Sequence, residues 1–262
     1  MNFRLDTSKV LFSARLGCLF NVSQAMTFPT PESYARIGTL SSLYADTCQR
    51  SYIDYLLLSN QISDIGEVEY DEHLDELNLK HQIAGVQAIV FAGMCFEAAI
   101  YDFAAIHLGD KYVQEHLDKL DVLSKWIVVL RFVSGYELQK DQAPYASLKR
   151  LVAARNRLVH SKSEKFNFSK IQPQLDRLQK EEIAHEQDVH NAFRAIVLMS
   201  VELERGIGAL ANPLRSFNSK VTIFPTLPEI LQQVVGDCYS IVSRAQRVAN
   251  PAFKRDAVKR AP

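Results

Sequence analysis

The stretch LKRLVAARNRLVH, residues 148–160, is the one around which the rest of the chain is organised. Its apolar residues recur at helical spacing and predict a helix with one apolar stripe, made by Leu148, Leu151, Val152, Leu158 and Val159. At about 100° per residue, Arg155 falls in the middle of that stripe, so it must be paired inside the fold or directed at a second protein surface. Asn156 lies four residues before His160 on the same side of the helix. An arginine, an amide and a histidine therefore converge near a helix C-terminus.

Composition and charge are those of an ordinary globular chain. Of its 262 residues, 47% are hydrophobic and 23% are charged, and the net charge is zero. No global field draws such a chain to nucleic acid or to a membrane, so a contact with either must be local. The four cysteines are far apart and form no CxxC pair, which favours reduced thiols in a cytoplasmic protein. No apolar run reaches transmembrane length without charge, so we expect no membrane partner.

The remaining patterns predict an all-α fold, a helical bundle with long central antiparallel helices. Residues 83–105 are apolar nearly all round, so the helix that contains them, about residues 77–108, should be central. A further helix is expected over about residues 181–210. We divide the chain into a loose N-terminal extension (1–30), a helix with an acidic linker (31–76), a main helical domain (77–210), and a C-terminal helix with a basic tail (211–262). The segment 221–224, VTIF, is consistent with a short strand that has no evident partner.

Two carboxylates lie in the middle of the apolar helix. Glu97 and Asp102 are its only charges there, and a carboxylate in such a place needs a partner. Arg155 is the obvious candidate for that partner. Small residues in the same helix would let another helix approach closely: Gly85, Ala88, Ala92 and Gly93.

Residues 155–160 have the form R-N-x-x-x-H at a helix end, the sequence FEAAIYD (residues 96–102) lies upstream in an apolar helix, and Lys125-Trp126 falls between the two. This order of motifs resembles that of the HEPN superfamily. The resemblance covers about residues 77–210. HEPN domains are α-helical, and many are ribonucleases of antiviral defence, toxin–antitoxin and RNA-processing systems.

The resemblance implies a metal-independent endoribonuclease that needs no cofactor and acts as a homodimer. The motif helices would pair across a two-fold axis, where each subunit contributes one arginine and one histidine to a shared cleft. His160 would be the general acid or base, Arg155 would bind the phosphate, and Asn156 would orient the imidazole or bind substrate. Glu97 and Asp102 would hold the guanidinium of Arg155 in position. An antitoxin or regulatory protein is a further partner that the family implies.

Basic residues cluster beside the motif in an otherwise neutral protein. Residues 149–165 contain six of them against the single acid Glu164, as local RNA binding requires. We expect four of the six to bind RNA: Lys149, Arg150, Arg157 and Lys162. The alternative is that these are an ordinary solvated face.

The alternatives left open concern the motif itself. Arg155 with Glu97 is also consistent with an internal ion pair that fixes helix register, and His160 with a helix cap. The chain would then be a non-catalytic helical interaction or RNA-binding module. The sequence HEQDVH, from His185 to His190, lacks the spacing of a zinc site and is interpreted as a surface turn. Tyr52, Tyr55 and Trp126 are interpreted as core residues.

Overall fold

The computed structural model describes residues 36–65, 72–163, 165, 167–218 and 227–249, and the structural statements below concern these residues. They form six long helices: α1 (Ser41–Ile65), α2 (Glu72–Leu108), α3 (Val122–Ser134), α4 (Ala143–Val159), α5 (Ile171–Gly206) and α6 (Glu229–Ala249). Short helical turns follow α2 (Asp110–Tyr112 and Val113–Leu117) and precede α5 (Phe168–Lys170). No strand occurs in this part of the chain, and the predicted all-α bundle is confirmed.

Helix α2 is the centre of the bundle, as its apolar composition predicts. It forms an antiparallel hairpin with α1 and also contacts α3, α4 and α5. Ile89, Phe96 and Ile100 of α2 are completely buried. By length and composition α2 is also apolar enough to cross a membrane. That is weak evidence for a membrane span, because the buried core helix of a soluble protein has the same properties.

Small residues of α2 admit its neighbours, as the sequence predicts. A methyl group added at Gly85 would lie 2.9 Å from a methyl carbon of Val189 on α5, and Ala88 and Ala92 are fully buried. Helix α3 is anchored on the same helix, because the indole N–H of Trp126 donates to the Phe96 carbonyl at 3.2 Å. Trp126 is completely buried, and Tyr52 and Tyr55 are almost completely buried. The interpretation of these three as core residues is confirmed.

Helices α4 and α5 form a second antiparallel hairpin. Pro144 lies in the first turn of α4, where a missing N–H costs nothing. Helix α5 begins ten residues before the predicted start at Glu181. The prediction was too late because Pro173 and the polar residues around it have the composition of a loop. Proline is tolerated there, since the first N–H groups of a helix have no partner within it.

The helix boundaries near the N-terminus differ from the sequence-based expectation. Residues 36–40 are not helical, and α1 starts at Ser41, ten residues into the segment 31–76 that was expected to hold a helix and an acidic linker. Helix α2 starts at Glu72, so Asp75 and Glu76 of the expected acidic linker lie in its first turns, where the helix dipole favours carboxylates. The expected extension (1–30), the VTIF segment and the basic tail lie outside the described residues.

Candidate active site at the end of helix α4

Arg155 and Glu97 form the predicted ion pair. Nη2 of Arg155 lies 3.3 Å from Oε2 of Glu97, which joins α4 to the middle of α2. The side chains are 26% and 44% exposed, so the pair is half-buried rather than internal. An ion pair as exposed as this contributes about 0–1 kcal/mol to stability. Its evident effect is therefore on the direction of the guanidinium.

The stem of Arg155 lies against bare backbone of α2. A methyl group added at Gly93 would lie 2.9 Å from Cγ and 3.3 Å from Cβ of Arg155. Only glycine leaves room for the arginine in this position, since both atoms are close to the α4 backbone and cannot swing away. Gly93 and Glu97, one turn apart on α2, together determine where Arg155 lies.

Asn156 and His160 occupy the exposed end of α4. The side chain of Asn156 accepts a hydrogen bond through Oδ1 from Nη1 of Arg155 at 3.2 Å, so it orients the arginine. The expected hydrogen bond between Asn156 and the imidazole does not occur among the described residues. His160 is the C-cap residue, and its backbone N–H donates to the Asn156 carbonyl at 3.0 Å. Within the described residues its imidazole makes no hydrogen bond, so the side chain does not cap the helix.

His160 opens onto a cleft of about 500 Å³ between the end of α4 and the beginning of α5. The α4 end and the loop after it contribute six lining residues: Asn156, Arg157, His160, Ser161, Lys162 and Lys165. Helix α5 contributes the other four: Gln174, Arg177, Leu178 and Glu181. Four side chains of the lining are permanently cationic and only one is acidic. Such a cleft attracts an anion.

Two of the expected RNA-binding arginines are held by a buried carboxylate. Asp188 of α5 is almost fully buried, and its two oxygens pair with Nε of Arg150 at 2.6 Å and with Nη2 of Arg157. Arg150 also donates to Gln187 at 3.1 Å. Burial explains this pairing, since a carboxylate inside the bundle needs its charge compensated. Arg150 and Arg157 thus join α4 to α5, and only Arg157 also lines the cleft.

Asp102 does not support Arg155, contrary to expectation. Its Oδ1 lies 3.3 Å from Nε of Arg36, a residue that precedes α1. Arg36 also donates to both oxygens of Asp110, at 2.9 and 3.2 Å. Burial raises the pKa of Asp102, although Arg36 opposes the change. Asp102 therefore fixes the segment before α1 to the end of α2, five residues beyond the Glu97 site.

Sequence reasoning identified four of the ten residues that line the cleft: Asn156, Arg157, His160 and Lys162. Lys149 and Lys162 are exposed as expected, and Lys162 lines the cleft. Lys165, Gln174 and Arg177 were missed as site residues. Lys165 belongs to the basic segment, which was the signal available for it, whereas Gln174 and Arg177 precede residue 181, where the helix was predicted to begin. Gln174 fixes the loop before α5, because its Oε1 accepts from the Asn167 N–H at 3.1 Å.

His185 and His190 lie within α5, so their interpretation as a surface turn is wrong. They face the α1–α2 hairpin: Nδ1 of His190 lies 2.9 Å from the Tyr52 hydroxyl, and His81 of α2 stacks on Tyr55. Burial lowers the pKa of His81, His185 and His190. These side chains form a half-buried junction of three helices.

No protein-family model, curated protein or solved structure matches this chain.

Proposed function

We propose that this protein is a metal-independent endoribonuclease of the HEPN type, with a composite active site at a homodimer interface. The R-N-x-x-x-H residues at the end of α4 are its catalytic residues, and RNA is its substrate. By the same resemblance we assign it to the toxin or antiviral effectors, with an antitoxin or regulatory protein as a further partner.

The observation that carries this proposal is the environment of His160. The imidazole is exposed at the rim of a cationic cleft, it is not used as a helix cap, and Asn156 beside it orients Arg155. A structural histidine would have its ring nitrogens occupied by the fold. An imidazole held in a groove that attracts phosphate is suited to proton transfer at a phosphodiester.

The reaction needs one proton removed and one delivered. A base accepts the proton of a ribose 2′-hydroxyl, and the 2′-oxygen attacks the adjacent phosphorus. The bond from phosphorus to the 5′-oxygen breaks, and an acid protonates that oxygen. The products are a 2′,3′-cyclic phosphate and a 5′-hydroxyl. His160 carries out one of these transfers in each subunit, and Arg155 neutralises the charge that develops on the phosphate oxygens. DNA is not a substrate, because it has no 2′-hydroxyl.

Two features support a homodimer. Arg155 faces α2 and does not line the cleft of its own His160, so a single subunit leaves the pair incomplete. Beside the cleft, α5 exposes two apolar side chains one turn apart, Ile171 and Leu175, which we call the apolar seam. A second copy of the chain related by a two-fold axis would present the same seam and could cover it.

The alternative, a non-catalytic helical interaction or RNA-binding module, is favoured by one observation. Arg150, Arg157 and Arg155 are all engaged in ion pairs with carboxylates, which is what a structural role for the basic residues predicts. The exposed imidazole of His160 has no function on this alternative, so replacing it distinguishes the two.

The test is cleavage of total RNA in EDTA by the wild type, His160→Ala and Arg155→Ala. We expect each substitution to lower the cleavage rate by at least about a hundredfold, since each removes proton transfer or charge stabilisation from the transition state. The wild-type products should carry 2′,3′-cyclic phosphate ends.

Matched controls are His116→Ala and Arg131→Ala, which remove the same residue types from exposed positions outside the cleft. Both should cut RNA like the wild type. The proposal is overturned if His160→Ala cleaves normally, or if the folded wild-type dimer leaves RNA intact.

A further inference from the structure

The cleft offers more than a place for the imidazole of His160. Its volume of about 500 Å³ lies within the range of pockets that enclose one small molecule, so it is larger than a single phosphate needs. One wall is the loop after α4 and the other is the first turns of α5. The ligand that fits must account for both the size of the cleft and its charge.

Some of the positive charges that line the cleft are paired with carboxylates and others are not. Arg157 is neutralised from behind by Asp188, and Nε of Arg177 lies 3.5 Å from Oε1 of Glu181. Lys162 and Lys165 have no ion partner among the described residues, and they lie on the loop wall opposite Arg177. Two lysines and an arginine across a narrow space are suited to an anion with several oxygens, as a phosphodiester is.

The α5 wall also has apolar and amide surface. Leu178 lines the cleft with its side chain half-exposed, and Gln174 and Asn156 place amide groups along it. An aliphatic face beside hydrogen-bonding amides accommodates a planar base, whose faces are apolar and whose edges are polar. Inorganic phosphate would leave this half of the cleft unused.

We infer that the cleft binds one nucleotide unit of a single strand, with Lys162, Lys165 and Arg177 on its phosphate and Leu178 against its base. This inference rests on the proposed function and specifies its substrate: the nucleotide next to the bond that His160 acts on. A base that is paired and stacked in a duplex cannot enter a cleft of this size without leaving its stack. The bound strand is therefore unpaired at this position.

The experiment measures binding without cleavage. The probe is a fluorescein-labelled 2′-O-methyl RNA hexanucleotide, which cannot be cut because its 2′-oxygens are blocked. Fluorescence anisotropy gives its Kd for the wild type, Lys165→Gln and Arg177→Gln over a series of salt concentrations. We expect each variant to bind roughly tenfold to a hundredfold more weakly. The slope of log Kd against log salt should fall by about 0.7 for each phosphate that the variant no longer neutralises.

The matched control is Lys180→Gln, which removes a positive charge from the same first turns of α5 but outside the cleft. It should bind like the wild type. Competition then identifies the ligand: a nucleoside monophosphate should displace the probe at far lower concentration than inorganic phosphate or the bare nucleoside, and the same hexanucleotide annealed to its complement should bind poorly.

Several results would overturn the inference. They are unchanged binding by Lys165→Gln and Arg177→Gln, equal competition by inorganic phosphate and nucleotide, equal affinity for the duplex, or no binding of the probe. RNA cleavage by both variants at the wild-type rate would reject the cleft while the ribonuclease proposal stands. Normal probe binding by a wild type that does not cut RNA would instead reject the ribonuclease proposal.

Discussion

Helix α5 has one apolar spacing along its length, but its two halves are in different environments. In the C-terminal half, Val189, Ala192, Ile196, Met199 and Leu203 recur at steps of three and four residues, and each is at most 1% exposed. Continued backwards, the same steps reach Leu178, Leu175 and Ile171, which are 47–49% exposed. Apolar periodicity thus predicts an amphipathic helix without saying what covers its apolar side.

The burial of the apolar stripe changes where the stripe becomes polar. Between Leu178 and Val189 its positions are occupied by Glu182 and His185, and on the N-terminal side of these two residues α5 no longer packs on the α1–α2 hairpin. The first half extends past the core and forms one wall of the cleft. The C-terminal half therefore stabilises the fold, and the first half is available for binding.

The largest expected effect is a loss of stability in the C-terminal half. Phe193 is 1% exposed and its ring lies 5.4 Å from that of Tyr52 and 5.8 Å from that of Phe217. Phe193→Ala should lower the free energy of unfolding by about 3–5 kcal/mol, because it removes buried surface and leaves a cavity. Urea denaturation followed by circular dichroism measures this value.

The matched variant is Phe168→Ala, which makes the same change just before α5 at a side chain that is 80% exposed. It should alter the free energy of unfolding by no more than about 0.5 kcal/mol. Similar losses in the two variants would mean that the beginning of α5 is as much part of the core as its end.

Sequence reasoning was sufficient where a local rule determines the structure. An apolar helix with an isolated Glu97 demands a cation, and Arg155 in the apolar stripe of another helix demands an anion, so their pairing could be predicted. The central position of α2 followed from the same reasoning, because a helix that is apolar all round must be surrounded.

Sequence reasoning failed where the partner is distant and the local pattern ambiguous. Asp102 is paired with Arg36, which lies before α1 in a segment that offers no periodic signal. Arg150 and Arg157 have the pattern of a solvated face, and only the fold brings the buried Asp188 between them. The α5 wall of the cleft was missed because Pro173 has the appearance of a helix breaker.

A smaller effect on stability, but a large one on assembly, is expected in the exposed half. Leu175→Glu places a carboxylate in the apolar seam, where the second copy of the proposed dimer would bury it without a partner. Analytical ultracentrifugation should show a folded monomer in place of the dimer that we propose for the wild type, and RNA cleavage should fall with it.

Lys180→Glu introduces the same carboxylate on the opposite side of these turns of α5, and it should leave the dimer intact. A Leu175→Glu protein that remains dimeric would remove the seam from the interface and would direct attention to the α4 helices instead.

The smallest expected effect is a pH dependence of stability. It arises at the half-buried histidine junction, which lies between the two halves of α5. Burial lowers the pKa of His81, His185 and His190, so the folded state favours their neutral forms, although Glu186 opposes this at His81 and His190. The unfolded chain, with histidine pKa values near about 6.5, takes up protons more readily as the pH falls. Stability is therefore fully present above about pH 7.5 and decreases as the pH falls through about 6.5.

The urea midpoint of the wild type should accordingly be lower at pH 5.5 than at pH 7.5. In a double variant, His81→Gln with His190→Gln, the difference should shrink, because glutamine can replace the hydrogen bonds to Ser59 and Tyr52 without titrating. His116→Gln, at an exposed position away from the junction, should keep the wild-type difference. Equal pH dependence in the double variant and the wild type would show that the junction tolerates the charged imidazoles. Glu182 and His185 would then mark only the place where the core ends along α5, and protonation of the histidines would not destabilise the fold.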